Sequence, residues 1–208
     1  KLRNVAKMRR AMLAGEDFCG GFIQFDIRER GKVRHISAVH FRERVPQKSI
    51  TQNILIPAIV PTLIDANSAN VKGKGTSYAI RLLKRQLADH YRKHGREGYV
   101  LQIDFANYFA SIPHGPTKDM IARALDDERL VKLIHHMIDV QGDIGLGLGS
   151  EPNQIMAIAL PSRIDHFILE MCGVEAYGRY MDDIYAIHSD KRHLEIVLAA
   201  VRDMCAAM

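Results

Sequence analysis

The stretch GRYMDDIYAIH, residues 178–188, sets two carboxylates, Asp182 and Asp183, side by side among apolar and aromatic residues. Arg179 is the one other charge between Tyr177 and Ile187. Tyr180-Met181 and Ile184-Tyr185 favour extended backbone and aspartates suit tight turns, so the stretch predicts a β-hairpin with both carboxylates at its tip. Neighbouring carboxylates repel one another and bind protons more tightly unless a cation is close. A solvated turn is one reading. The other draws on Asp104, which ends a second short apolar run, YVLQIDF at 99–105, read here as a buried strand. Carboxylates presented from the ends of separate strands assemble divalent-metal sites. Mg²⁺ takes one or two carboxylates with phosphate oxygens and water, and two such ions roughly 4 Å apart can hold both oxygens of a phosphoryl transfer.

Working outward, residues 22–41 (FIQFDIRERGKVRHISAVHF) pivot on Glu29-Arg30-Gly31-Lys32 and predict a hairpin with a basic tip. Residues 44–65 look helical but carry Pro46, Pro57 and Pro61, which predicts two short helices rather than one. Thr76 or Ser77 is placed to cap a helix running to about His94, with Gly95 past its end and Ile80, Leu83, Leu87 and Tyr91 as its apolar face. Helical patterns follow at 117–125 and 127–140, closed by Gly142. The loop GDIGLGLGS leads into a helix from about Pro152 to Cys172, kinked at Pro161, and Ser189 caps a last helix. Helices and strands mix without regular βαβ alternation, so the class is α+β.

At 208 residues the chain can bury a sizeable core, and 47% of it is hydrophobic. No apolar run approaches the ~20 residues of a membrane helix. Cys19, Cys172 and Cys205 are scattered and in no metal-ligand spacing, which points to a reducing, cytoplasmic setting. Lys and Arg (29) exceed Asp and Glu (24), giving +5. The surplus lies in residues 1–100, in clusters at 7–10, 28–34, 42–48, 72–74 and 84–96. A basic first half beside an acidic site suits a nucleic-acid partner.

YMDD between β-formers, 78 positions after an aspartate followed by a phenylalanine and an aromatic-rich turn, resembles the palm of reverse transcriptases. The resemblance covers nearly the whole chain. GKVRHISAVHFRERVPQ resembles the fingers segment of the bacterial enzymes, and VKGKGTSYAI the basic loop and helix start that follow it. YVLQIDFANYFASIPH resembles the first catalytic motif, and GLGLGSEPNQIMAIALPSRIDHFI the glycine-containing loop and helix beneath template and nucleotide. Leu148-Gly149 departs from the Gln-Gly common in the family and is similar to the diversity-generating retroelement enzymes; retron, group II intron and abortive-infection enzymes stay open.

The resemblance implies a right-hand polymerase with fingers at 1–95 and 114–147 and palm at 96–113 and 148–208, its antiparallel sheet and YMDD hairpin packed on helices. It implies that Asp104, Asp182 and Asp183 are catalytic and, with the Phe105 carbonyl, bind two Mg²⁺ ions, Mn²⁺ being acceptable. Lys32, Arg34, Phe109, Leu148, Gly149 and Gln154 would meet the nucleotide; Phe109 would be the aromatic gate under the sugar, with Tyr108 the neighbour to distinguish from it. Arg42, Arg44, Lys72, Lys74, Tyr180 and Met181 would meet template and primer. The partners implied are an RNA template, a DNA or RNA primer and a dNTP, with no membrane and a homodimer left open. The chain starts at Lys and stops inside an amphipathic helix, so it reads as a piece of a longer protein without a thumb. An RNA polymerase or nucleotidyl transferase on the same palm, and an RNA-binding maturase-like scaffold, are the alternatives.

Overall fold

In the computed structural model, which describes residues 2–17, 19–29 and 31–208, two small antiparallel sheets are set among helices. Helix α1 (Leu2–Leu13) leads to a hairpin of β1 (Phe22–Glu29) and β2 (Lys32–Val39), in register from Phe22 opposite Val39 to Glu29 opposite Lys32. Helix α2 (Phe41–Ile50) continues through a π-helical turn (Thr51–Leu55), α3 (Ile56–Ile59) and a 3₁₀ turn (Val60–Thr62). The expected break into separate helices does not occur. In the π-helical turn the Ile56 N–H reaches back five residues to the Thr51 carbonyl. That wider turn sits immediately before Pro57, where an α-helical turn would crowd the ring against a carbonyl.

Helix α4 (Thr76–His94) begins after Gly75, whose φ of 143° a residue with a side chain rarely adopts. Thr76 and Ser77 lie inside the helix rather than capping it. Its buried residues are Leu82 and His90, whereas Ile80, Leu87 and Tyr91 are exposed, contrary to the apolar face predicted. Polar contacts select the face: the Gln86 amide donates to the Tyr177 carbonyl (2.9 Å), and the Tyr185 hydroxyl donates to Gln86 Oε1 (2.6 Å). A hydrophobic pattern carries no trace of such docking.

Next come β3 (Tyr99–Asp104), α5 (Tyr108–Ser111), α6 (His114–Ala124), α7 (Glu128–Asp139), α8 (Glu151–Ala159) and α9 (Ser162–His166), the last running into a π turn at Phe167–Met171. Then β4 (Ala176–Tyr180), β5 (Asp183–His188) and α10 (Lys191–Ala206) complete the chain. The second sheet has the order β3-β5-β4, all antiparallel. β3 is therefore an edge strand, and its residues are exposed or half-buried, with Val100 58% exposed, rather than buried as its apolar sequence suggested. Asp190, not Ser189, caps α10, accepting from the Arg192 N–H (2.8 Å); the Ser189 N–H is engaged by Glu175 Oε1 (3.0 Å).

Two apolar clusters hold the chain. One gathers Ile50, Leu55, Tyr108, Ile134 and Met156 from the helical segments with Leu146 from the loop before α8. The other packs Tyr177, Ile184 and Ala186 of the sheet against Ile164, Ile168, Leu194 and Val197 of α9, the following π turn and α10. Phe105 touches both. No helix among the described residues is long and apolar enough to cross a membrane.

Candidate active site

Register decides how the three aspartates meet. β3 and β5 run antiparallel with Asp104 directly opposite Asp183, and β4 and β5 pair with Tyr180 opposite Asp183. Directly opposed residues in such a pair have Cα atoms about 4.5–5.5 Å apart and side chains on one face. Asp182 sits between the strands in a two-residue turn with Met181. Only one carboxylate is thus at the turn itself; Asp183 is the first residue of β5. Strand alternation puts Leu101, Ile103, Ile184 and Ala186 into the second cluster and leaves Asp104, Asp183 and Tyr185 to the opposite face, that of α4. The Thr76 hydroxyl, at the start of α4, donates to the Tyr180 hydroxyl (3.3 Å).

The turn is strained and tied down. Met181 has φ 59°, a left-handed conformation that costs a residue with a bulky side chain about 1–2 kcal/mol. Its carbonyl accepts from Arg179 Nη1 (2.9 Å). The Arg179 side chain is fully buried beside Asp165, also fully buried. Its Nε donates to both Asp165 oxygens (2.9 and 3.0 Å), and its Nη2 donates to Asp165 Oδ2 (2.7 Å) and to the Ile158 carbonyl (2.7 Å). The Tyr177 hydroxyl donates to Asp165 Oδ1 (2.5 Å). Burial works against the Arg179 charge, but the Asp165 carboxylate beside it prevails and holds the guanidinium protonated. One ion pair therefore fixes α8, α9 and the Met181-Asp182 turn together. Sequence reading assigned neither residue a role. The available signal was a lone arginine in an apolar strand and a lone aspartate between Ile164 and Phe167.

Around the aspartates, Phe105 bridges the two clusters. Tyr108 is core: it is buried, its hydroxyl donates to the Ala157 carbonyl (2.5 Å), and burial first, with the Asp182 and Asp165 charges against that of Arg179, pushes the phenol up. Phe109 is half-buried, edge-on to Tyr108 at 5.8 Å. Its carbonyl accepts from the Leu146 N–H (2.7 Å), which brings the glycine-containing loop to it. Further along that loop, Gly149 has φ 110° and lies against Ile36, Ser37 and Ala38 of β2. At Gly147 an added Cβ would fall 2.9 Å from that of Ser37. Half-buried Leu148 and Gln154 follow, the latter in the first turns of α8. The loop that carries Leu148 and Gly149 thus runs from α5, which carries Phe109, to the first hairpin. The side chains of Lys32 and Arg34, expected at the triphosphate, lie outside the described residues.

Of the cations expected at the template, Arg42 and Lys72 are exposed. The Arg44 side chain donates to the Val39 carbonyl (3.3 Å). Lys74 is engaged: its ammonium pairs with Asp65 (2.9 Å) and lies 5.0 Å from the centre of the Tyr78 ring. Tyr180 is 39% exposed, and Met181 packs against the first cluster.

The fold is similar to that of solved telomerase structures. The chain aligns with apo telomerase from Candida tropicalis truncated from its C-terminal domain at TM-score 0.63 and 16% identity, over 86% of this chain and 45% of that one. With the apo telomerase of the same organism the values are 0.60 and 14%, over 96% and 46%. A third likeness is to Candida tropicalis telomerase in complex with the TWJ fragment of telomeric RNA, at 0.60 and 13%, over 96% and 41%. The chain spans under half the length of these structures. No protein-family model and no curated protein matches the sequence.

Proposed function

We propose that the chain is the fingers-and-palm portion of an RNA-directed DNA polymerase, adding dNTPs to a primer 3′-hydroxyl. The observation that carries this is Asp104 opposite Asp183, with Asp182 in the adjoining turn, at one corner of a three-stranded sheet. Telomerase, whose fold the chain shares, is itself a reverse-transcriptase-related polymerase, and one of the matching structures holds RNA. The resemblance of the sequence to bacterial reverse transcriptases and the likeness of the fold to telomerase both support this reading.

The donors suit Mg²⁺: three carboxylates and the Phe105 carbonyl are hard oxygen ligands, with no sulfur or imidazole in the set. When bound there, the ions would supply charge stabilisation to the transferring phosphoryl group. Asp104 and Asp182 would be the main ligands and Asp183 a lesser one. The chain's own part is positional. Arg179 holds the turn through the Met181 carbonyl, which sets where Asp182 stands. Gly149 lets the loop run close to β2. Fingers at 1–95 and 114–147 and palm at 96–113 and 148–208 belong to the same proposal.

Phe109 separates a DNA polymerase from an RNA polymerase on the same palm. A half-buried ring under the sugar would clash with a 2′-hydroxyl and offer it no hydrogen-bond partner. Phe109→Ala in the full-length enzyme should raise ribonucleotide incorporation by about two orders of magnitude, on the order of 3 kcal/mol, with a smaller loss for dNTPs. Single-nucleotide extension with both series on one RNA template measures this. Wild-type use of rNTPs as readily as dNTPs would sink the assignment; unchanged discrimination in the variant would place the gate elsewhere.

Exposed Lys72 is expected to contact template phosphate. Lys72→Glu should weaken RNA binding regardless of sequence and reduce the slope of log K against log salt by about 1. An unchanged slope would leave it a solvated side chain.

A further inference from the structure

Far along α4 from the aspartates, His90 and His94 stand one helical turn apart and both face Glu175, which precedes β4. His90 Nδ1 is 2.9 Å from Glu175 Oε2, and His94 Nε2 is 2.9 Å from the same oxygen. His90 is buried at 9% exposure and Glu175 nearly so. The other ring nitrogen of His90, Nε2, is 2.9 Å from the Glu97 carbonyl oxygen. Both nitrogens of one imidazole thus face oxygen acceptors. In either neutral tautomer a nitrogen lone pair is aimed at an oxygen lone pair, because a neutral ring carries a single N–H.

A metal ion on His90 Nδ1 removes the conflict and leaves the Nε2–H to donate to the Glu97 carbonyl. We propose that His90 Nδ1, His94 Nε2 and Glu175 Oε2 bind a zinc-class divalent ion, separate from the aspartate site. Two imidazoles and one carboxylate are the ligand set of such an ion, and histidines four apart on a helix present both rings to one point. The outer contacts are those of a metal centre: a ligating histidine donates its second N–H to a carbonyl, here Glu97, and a ligating carboxylate is itself hydrogen-bonded, here by the Ser189 N–H to Oε1 at 3.0 Å. Metal bonds of about 2.0–2.1 Å in tetrahedral array require ligand atoms about 3.3 Å apart. The three atoms lie within 4.8 Å of one another, so small rotations suffice. A cavity bordered by His90, Glu175, Gln86 and Asp89 opens beside them and gives water access to the fourth position. The ion would clasp the end of α4 to the lead-ins of β3 and β4 and, through Ser189, to the end of β5.

Chelator-treated protein, titrated with Co²⁺ and then Zn²⁺, tests this. The expected result is one tightly bound Co²⁺ with a visible ligand-field spectrum, displaced by Zn²⁺, and a Tm that rises with Zn²⁺. His94→Ala, at a partly exposed position, should weaken binding by at least the roughly 10–100-fold that loss of an outer partner costs, and Glu175→Gln should do the same. The Asp104→Asn, Asp182→Asn double variant and His136→Ala, which breaks the exposed Asp17-Cys19-His136 grouping, should bind as wild type. No Co²⁺ spectrum, binding unchanged in His94→Ala, or binding lost in either control would overturn the proposal.

Discussion

Asp182→Asn is expected, on the polymerase function proposed above, to lower primer extension by about three orders of magnitude or more, with RNA binding nearly intact. A neutral amide oxygen would replace a carboxylate in the proposed ligand set, where charge stabilisation by bound ions is worth roughly several kcal/mol and each 1.36 kcal/mol is tenfold in rate. The turn should survive, since asparagine tolerates the same backbone as aspartate there. Primer extension and RNA binding measured on one preparation separate loss of chemistry from loss of fold. Extension near the wild-type rate would remove Asp182 from the site, and with it the two-metal reading of the sheet corner. The same substitution also distinguishes a polymerase from an RNA-binding scaffold, for which the aspartates are dispensable.

The second large effect belongs to residues that touch no substrate. Asp165→Ala should cost about 3–5 kcal/mol, because it leaves the Arg179 guanidinium charged, buried and without its counter-ion. For a chain of this length that corresponds to a Tm lower by roughly 6–20 °C. Replacing both partners with apolar residues, Asp165→Leu with Arg179→Met, should recover much of the stability, since a buried ion pair is often no better than a well-packed apolar pair. Extension should not recover with it. The Met181 carbonyl would still lack its donor, and the turn carrying Asp182 would lose the contact that holds its left-handed residue. Thermal unfolding and primer extension on the single and double variants measure both halves. A double variant that extends like wild type would reduce the pair to a structural role.

These two predictions mark what could and could not be read from the sequence. The strands and the aspartates at their ends were legible because apolar runs punctuated by acidic residues are local patterns. Their juxtaposition was legible only through resemblance, since the pairing of Asp104 with Asp183 is a matter of register between distant segments. Arg179 stood out as the one charge in its strand, but its partner Asp165 is 14 residues away across a turn. Where local rules failed, something nonlocal had overridden them. A π turn absorbs Pro57, side-chain amides and hydroxyls dock α4 by its polar face, and Glu175 engages the Ser189 N–H while Asp190 caps the helix. The edge position of β3 follows from strand order, which hydropathy does not encode.

Phe105 packs into both apolar clusters and is bonded directly to Asp104. It works as the fulcrum of a lever whose short arm is Asp104. A change in spacing between the helical body and the sheet reaches Asp104 through Phe105, its neighbour in the chain. Since a misplacement of about 1 Å can cost a hundredfold in rate, the catalytic role proposed for this corner would tie its rate to the packing of both clusters.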